Sequence, residues 1–364
     1  MLPATEGPHR DGLCPELDLF SIPHTQTDVV SSQWEEAKPQ SGDLSGPIEI
    51  NIDGKGEHYI DLYHTYVHVR GKITNADGSN LAEDAQVGPV NLLLHSLFTQ
   101  VDLSLNTELV TPSTNTYAYR SYLETLLSYG EDAKSSQLGM ALWHKDTAEH
   151  MDATDDTNEG LDKRKEYTAR SNTVDLVGKL HMDINFQERY LLNDVDLTFN
   201  FVRNKDSFVL MAGGVNPQYK FVMNSIALYV RKVKLSDRRM NINNKALEKI
   251  NAVYPIRRVV TKTFAVPAGN LQISKENLFS GPAPQKSHRG MCGWSCSERT
   301  LQEEPVFVSA VWNELCSLVC GWQADTQKTP DPQLYHQLLQ PMLPDTVRCL
   351  GKIWPRRRQR YQPG

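Results

Sequence analysis

The sequence predicts an all-β protein with helical insertions, folded as a jelly-roll β-sandwich. Three observations predict it. Short segments alternate apolar and polar residues at a period of two; turns rich in Gly, Asn and Asp separate them; and no helix recurs between strands as a βαβ rhythm requires. At 364 residues the chain is long enough for one large β-domain or two. Hydrophobic residues make up 39% and charged residues 23%, a balance that suits a globular protein. No apolar run approaches the roughly 18 residues of a membrane-spanning helix.

Residues 1–46 are rich in Pro, Ser, Thr, Asp and Gly and have little periodicity, which predicts an extended N-terminal arm. Within it, Leu17-Asp18-Leu19-Phe20 is an apolar patch able to anchor the arm. Met1 to Pro23 lack the apolar core of a secretory signal, so an intracellular, reducing compartment and free thiols are expected. From Pro47 the texture changes. Ile48, Ile50 and Ile52 alternate with Glu49, Asn51 and Asp53, the pattern of a half-buried strand, and Asp53-Gly54 supplies the turn. Strands are expected at Tyr59–Leu62, Tyr66–Ile73, Val90–Leu94 and Phe98–Leu105, with Asn75-Ala76-Asp77-Gly78 as a turn.

A helical insertion over about 117–165 interrupts the strands. Tyr119, Tyr122, Leu123, Leu126 and Leu127 fall at helical spacing, and Gly130 stands where a C-terminal cap glycine belongs. Ala133–Trp143 is a second, weaker helix, and the polar, acidic stretch from His144 to Lys165 reads as an exposed loop. Strands resume at Val174–Leu180, His181–Phe186, Val195–Arg203, Phe208–Met211 and Phe221–Val233. The jelly-roll domain therefore spans 47–235. A short helix at Ala246–Ile250 and a strand at Tyr254–Val266 follow, the latter with Val259, Thr261, Thr263 and Ala265 on one face.

The search for chemistry assigns no catalytic, cofactor-binding or metal-binding residue. There is no G-x-S-x-G, P-loop, H-E-x-x-H or glycine-rich fingerprint after a strand. His64 and His68 share one face of a strand, but no third ligand stands near them in the sequence. The acidic run Asp152–Glu159 lacks the glycine and alternation of a calcium loop. Net charge is −6, and Arg356, Arg357, Arg358 and Arg360 form a short basic tail without a surrounding basic face, so no specific nucleic acid is expected.

The C-terminal cysteines invite a zinc reading. Cys292-x3-Cys296 and Cys316-x3-Cys320 form two pairs, yet structural zinc knuckles are spaced C-x2-C or C-x4-C. Composition offers another explanation. Five of the six cysteines and four of the six tryptophans fall after about Ser280, where the alternating texture stops. Back-translating Glu298 to Gln323 through plausible codons and shifting by one nucleotide can yield N-G-H-Y-K-K-N-P-F-L-F-Q-Q-Y-G-M-N-F-V-A-L-Y-V-D-G, which ends as a strand and turn. Residues 281–364 are therefore read as an aberrant, disordered tail encoded out of frame.

Several blocks, in order, resemble the major capsid protein family of Polinton/Maverick-type elements and adintoviruses. They are Glu16–Phe20 with Pro23-x-Thr25-Gln26-Thr27, Tyr59-Ile60-Asp61-Leu62, the long block Gly88–Asp102, Tyr117-x-Tyr119-Arg120-x-Tyr122-Leu123-Glu124-Thr125-Leu126-Leu127-x-Tyr129-Gly130, Tyr229–Val233, and Tyr254–Arg258 with Gly269-Asn270-Leu271 and Glu276–Phe279. The resemblance covers about residues 15–280. It implies a double jelly roll whose second roll begins at 236–280 and is incomplete in this chain. It further implies a structural, non-enzymatic protein of the virion, self-associating as a homotrimeric capsomer and meeting minor capsid proteins, without a membrane or cofactor. The competing expectation is a cellular jelly-roll module for carbohydrate or peptide. That function needs exposed aromatics on one sheet face, for which Tyr59, Tyr63 and Tyr66 are the candidates.

Overall fold

The computed structural model describes residues 25–148, 150–213, 218–265, 286–292 and 306–312. By its internal contacts the chain divides into Met1–Leu315 and Cys316–Gly364, and all described residues lie in the first unit. In chain order, β1 (Val29–Ala37), β2 (Ile48–Ile52), β3 (His58–Asn75) and β4 (Val87–Pro89) lead to helix α1 (Leu93–Ser96). β5 (Phe98–Leu105) and β6 (Glu108–Leu109) form a hairpin. Helices α2 (Tyr117–Ser128), α3 (Glu131–Lys134) and α4 (Glu159–Thr168) make the insertion, with a 3₁₀ turn at Gln137–Ala141. Then come β7 (Val174–Lys179), a 3₁₀ turn at Asp183–Phe186, β8 (Leu197–Arg203), α5 (Asp206–Val209), β9 (Leu210–Ala212) and β10 (Tyr219–Leu235). α6 (Asp237–Leu247) precedes β11 (Val259–Ala265), β12 (Lys286–Cys292) and β13 (Val306–Trp312).

Two four-stranded sheets, ordered β1-β10-β3-β7 and β2-β8-β5-β6, are antiparallel throughout. Apart from the short β4–β9 pair, the chain crosses from one sheet to the other at every step except the β5–β6 hairpin. Its last strand, β10, inserts between β1 and β3. That order is two interlocked Greek keys, the jelly roll. The period-two pattern sets the register. Ile48, Ile50 and Ile52 lie opposite Phe201, Phe199 and Leu197, while Val101 and Leu103 flank the same two phenylalanines from β5. All of these are essentially excluded from solvent. Each such side chain contributes roughly 1.5–3 kcal/mol on burial. Gly54, in the turn after β2, is required by close approach: a Cβ there would lie 2.0 Å from the Val195 carbonyl oxygen.

The structure departs from the sequence expectation in several places. Val29–Ala37, expected within the arm, is an edge strand paired along β10, so the roll begins before residue 47. Its mostly exposed, polar residues give no alternation to read; backbone pairing holds it. Tyr59–Leu62 and Tyr66–Ile73 belong to one strand, bent at a register shift against β10. Val90–Leu94 and His181–Phe186 are turn and short helix, not strands, and Phe208 lies in α5. The end of the expected 144–165 loop is helix α4, whose Asn158 side chain caps the Leu161 N–H. Gly130 begins α3 in an extended conformation and does not close α2. The short helix expected at Ala246–Ile250 overlaps only the end of α6, which stops at Leu247, and the strand expected from Tyr254 starts at Val259.

In the tail expected to be disordered, β12 and β13 are strands; β13 pairs antiparallel with both β11 and β12 in a three-stranded sheet. The rest of residues 281–364 lies outside the described residues, as do Leu17–Phe20 and the C-terminal arginines.

Candidate functional site

A network of buried charged side chains forms where α2 packs on α1 and β5. The sequence places the apolar stripe of α2 on Tyr119, Tyr122, Leu123, Leu126 and Leu127; Tyr122 packs on the core, and Tyr119 and Leu123 are half-buried. The buried face is instead Tyr117, Ala118, Arg120, Ser121, Glu124 and Thr125, and Leu126 and Leu127 are 39% and 38% exposed. Arg120 explains the inversion. Its Nε donates to Glu124 Oε1 at 2.9 Å and its terminal nitrogen to Asp183 Oδ1 at 2.6 Å. Glu124 Oε2 holds His181 Nδ1 at 2.6 Å. The Tyr117 hydroxyl meets His95 Nδ1 at 3.0 Å and accepts from the His181 N–H at 3.3 Å. The rings of His95 and His181 stand edge to face, 4.6 Å apart.

Each charge in this lock has a partner. Burial drives Glu124 upward, but Arg120 and His181 outweigh it and hold the carboxyl below its ordinary value. Burial lowers Arg120, and Glu124 with Asp183 reverses that, so the guanidinium stays charged. Burial first, then His181, keeps His95 well below the usual imidazole value and therefore neutral. Asp183 also accepts from the Val259 N–H at 3.2 Å and lies 3.4 Å from Arg258 Nε, which ties β11 to the jelly roll. A cavity beside the lock, lined by Thr111, Thr116, Tyr117, Arg120 and Thr261, has a volume of about 20 Å³. That admits about one water.

Arg164 makes a second lock and is fully buried. It donates to the Pro89 carbonyl (2.9 Å), the His144 carbonyl (2.6 Å) and Asp146 (2.7 Å). Gly88 leaves room for α4: a Cβ there would lie 2.7 Å from Lys165 Cγ. Asn91 Oδ1 accepts from the Leu92 and His144 N–H groups. Leu92 and Leu142, both left-handed (φ 58° and 56°), share a hydrogen bond from Leu92 N–H to the Leu142 carbonyl at 3.1 Å. The longest sequence block, Gly88–Asp102, is thus the part that fastens the insertion to the sandwich.

The outer face of the β1-β10-β3-β7 sheet carries an aromatic band. Trp34, 53% exposed, lies 5.8 Å from the Tyr66 ring, and Tyr229 stands 6.1 Å from His68. The Lys179 ammonium sits 3.3 Å from the Tyr63 ring centroid and 5.0 Å from that of Phe186. Burial lowers its pKa to about 8, against Asp61 and Glu188. Tyr59 does not join this face; it is buried against Val233 and Leu235.

Other residues singled out in the sequence find local partners. His64 Nδ1 bonds Asp61 at 2.7 Å and His68 Nε2 bonds Asp175 at 3.2 Å. Among the described residues no cluster of three metal-ligating side chains occurs. Asp155 caps Thr157 within the acidic run. Cys292 lies in β12, and Cys296, Cys316 and Cys320 lie outside the described residues. Among the described residues no helix is long and apolar enough to cross a membrane. Arg164 and Asp183 were missed; a single arginine and a single aspartate in polar stretches give no periodic signal.

Comparison with known proteins adds the following. The chain is 24% identical over 281 residues to the uncharacterized protein F54H12.2 of Caenorhabditis elegans, covering 74% of this chain and 65% of that one. No family model matches. Among solved structures, a chain of the Sputnik virophage matches with a TM-score of 0.42 and 13% identity, covering 77% of this chain and 59% of that chain. The Faustovirus major capsid protein matches at 0.38 and 10%, covering 75% and 62%. The mavirus major capsid protein matches at 0.34 and 13%, covering 80% and 58%. The chain therefore spans less than two thirds of each of these proteins. What establishes the jelly roll is the strand order.

Proposed function

We propose that the chain is a capsid-type structural protein of a virus-like mobile element, of the Polinton and adintovirus kind, and not an enzyme. One observation carries the proposal. The blocks on which the sequence resemblance rests, Gly88–Asp102 and Tyr117–Gly130, supply the side chains that lock the sandwich end: Pro89, Asn91, His95, Tyr117, Arg120 and Glu124. Their polar groups are paired within the two locks, with Arg164, His144, His181 and Asp183 among the partners, and the cavity beside Arg120 has space for about one water, an arrangement suited to a rigid building block. Function then lies in self-complementary surfaces, through a homotrimeric capsomer built of two jelly rolls and bound by minor capsid proteins in the virion. On this reading the chain carries the first roll and the start of a second, as a decayed genomic copy would. Electron microscopy of the protein with its second roll in frame tests the proposal. Pseudo-hexagonal capsomers or closed particles are expected, and a dispersed monomer at assembly concentrations overturns it.

The aromatic band favours a second reading, a carbohydrate- or peptide-binding module, because stacked rings beside a cation are the chemistry that face would need. A glycan array separates the two. Binding abolished by Trp34→Ala supports the module, and no binding leaves the band as an assembly surface.

A further inference from the structure

The insertion holds a second cavity, which neither lock fills. Its volume is about 190 Å³, and its walls come from α3, from the segment after the Gln137–Ala141 turn and from the start of α4. One lysine lines it from each wall: Lys134, Lys145 and Lys163. Lys134 donates to the Leu126 carbonyl at 2.9 Å. The ammonium groups of Lys145 and Lys163 have no hydrogen-bonded or ion-paired acceptor among the described residues. Glu131 and Glu159 also line the cavity, and neither pairs with these lysines. Three ammoniums against two carboxylates leave the wall net positive.

Lysines alone would make a solvated rim. His144 sets this cavity apart. Its N–H donates to Asn91 Oδ1 at 3.0 Å, its carbonyl accepts from Arg164 at 2.6 Å, and its ring stacks on Tyr167 with centroids 5.6 Å apart. The imidazole is thereby fixed at the cavity wall, and its Nε2 is buried with no hydrogen-bond partner among the described residues. Burial first, then Arg164 and Lys163, holds the ring below the usual imidazole value and so neutral, with one nitrogen carrying the proton. A fixed, buried and unpaired ring nitrogen beside a cationic cavity marks a place for a ligand acceptor.

We propose that this cavity binds the phosphate group of a small phosphorylated molecule, with Lys134, Lys145 and Lys163 as counter-charges and the His144 Nε2–H as orienting donor. A phosphate presents three strong acceptor oxygens, enough to meet donors from three walls. The cavity has more room than a phosphate ion fills, and Glu131 and Glu159 offer acceptors to hydroxyl groups on the rest of the molecule. The site lies within the insertion and does not depend on how the chain assembles.

Calorimetric titration of the full chain with ribose 5-phosphate, inorganic phosphate and ribose tests the proposal. Saturable binding of ribose 5-phosphate is expected, with ribose silent. Inorganic phosphate binding as tightly assigns the site to free phosphate, and weaker binding assigns it to the ester. Lys145→Gln and Lys163→Gln, both at exposed positions, are each expected to raise Kd about fivefold while the melting temperature stays within about 1 °C of the parent. Glu159→Gln removes a like charge and is expected to lower Kd about twofold, a gain that a damaged fold would not give. The His144 ring-nitrogen signal is expected to shift and saturate with the same Kd. No heat and no His144 shift with either phosphate compound at millimolar concentration overturns the proposal. So does binding that ribose matches, or that both lysine variants leave unchanged.

Discussion

Helices α2 and α6 border the same jelly roll, have 12 and 11 residues, and differ in what they bury. α2 buries six residues, most of them polar, because the elements beneath it present His181 and Asp183. α6 buries none and shows its isoleucine and leucine to solvent. The difference teaches that an apolar stripe tells where a helix can pack, while the facing surface decides where it does. On α2 a charged partner overrode the stripe; on α6 the described residues offer no surface to meet it.

The sharpest way to break the comparison is to break the lock. Arg120→Leu leaves Glu124 and Asp183 buried with a cation removed, and halving a buried pair costs about 3–5 kcal/mol. The melting temperature is expected to fall by roughly 10 °C on that basis. Arg164→Met leaves Asp146 and two carbonyls without their shared donor, and a loss of similar size is expected in the same thermal melt. If either variant melts within about 1 °C of the parent, the locks do not hold the insertion.

Acid should act on α2 and spare α6. His95 is depressed well below 6.5 in the folded state, so the unfolded chain binds the extra proton first. Its contribution is therefore complete above pH 6.5 and declines as pH falls below it, by at most about 1.4 kcal/mol per pH unit. Glu124, depressed below 4.5, adds a loss in the same direction below that pH. Urea midpoints measured from pH 7 to 4 should decline, and His95→Asn should flatten the limb between 6.5 and 5. An unchanged limb in that variant assigns the acid sensitivity elsewhere.

Much of this fold was legible. Ile48, Ile50 and Ile52 announced β2 because one face is core and the other water, the condition under which a period of two becomes visible. β1 was not legible, since its residues are mostly exposed and only β10 holds it. The site was less legible still. Arg120 and Glu124 stood within a recognised block, but their partner Asp183 lies 63 residues from Arg120, and only the fold joins them. The period of α2 placed Leu126 and Leu127 inward with Tyr122, and only Tyr122 packs on the core, for the same reason.

The smallest effects belong to the exposed apolar groups. Leu126→Ser and Ile242→Ser should each change stability of the chain as written by no more than about 0.5 kcal/mol. A loss above about 1 kcal/mol at either position, read from urea midpoints, contradicts that exposure.

The central claim is that this chain is a building block that acts by associating with itself. Mass photometry of the frame-restored protein tests it most directly. A dominant species at three times the chain mass, growing into larger closed assemblies as concentration rises, is the result this account predicts. A single peak at the monomer mass across the same range contradicts it.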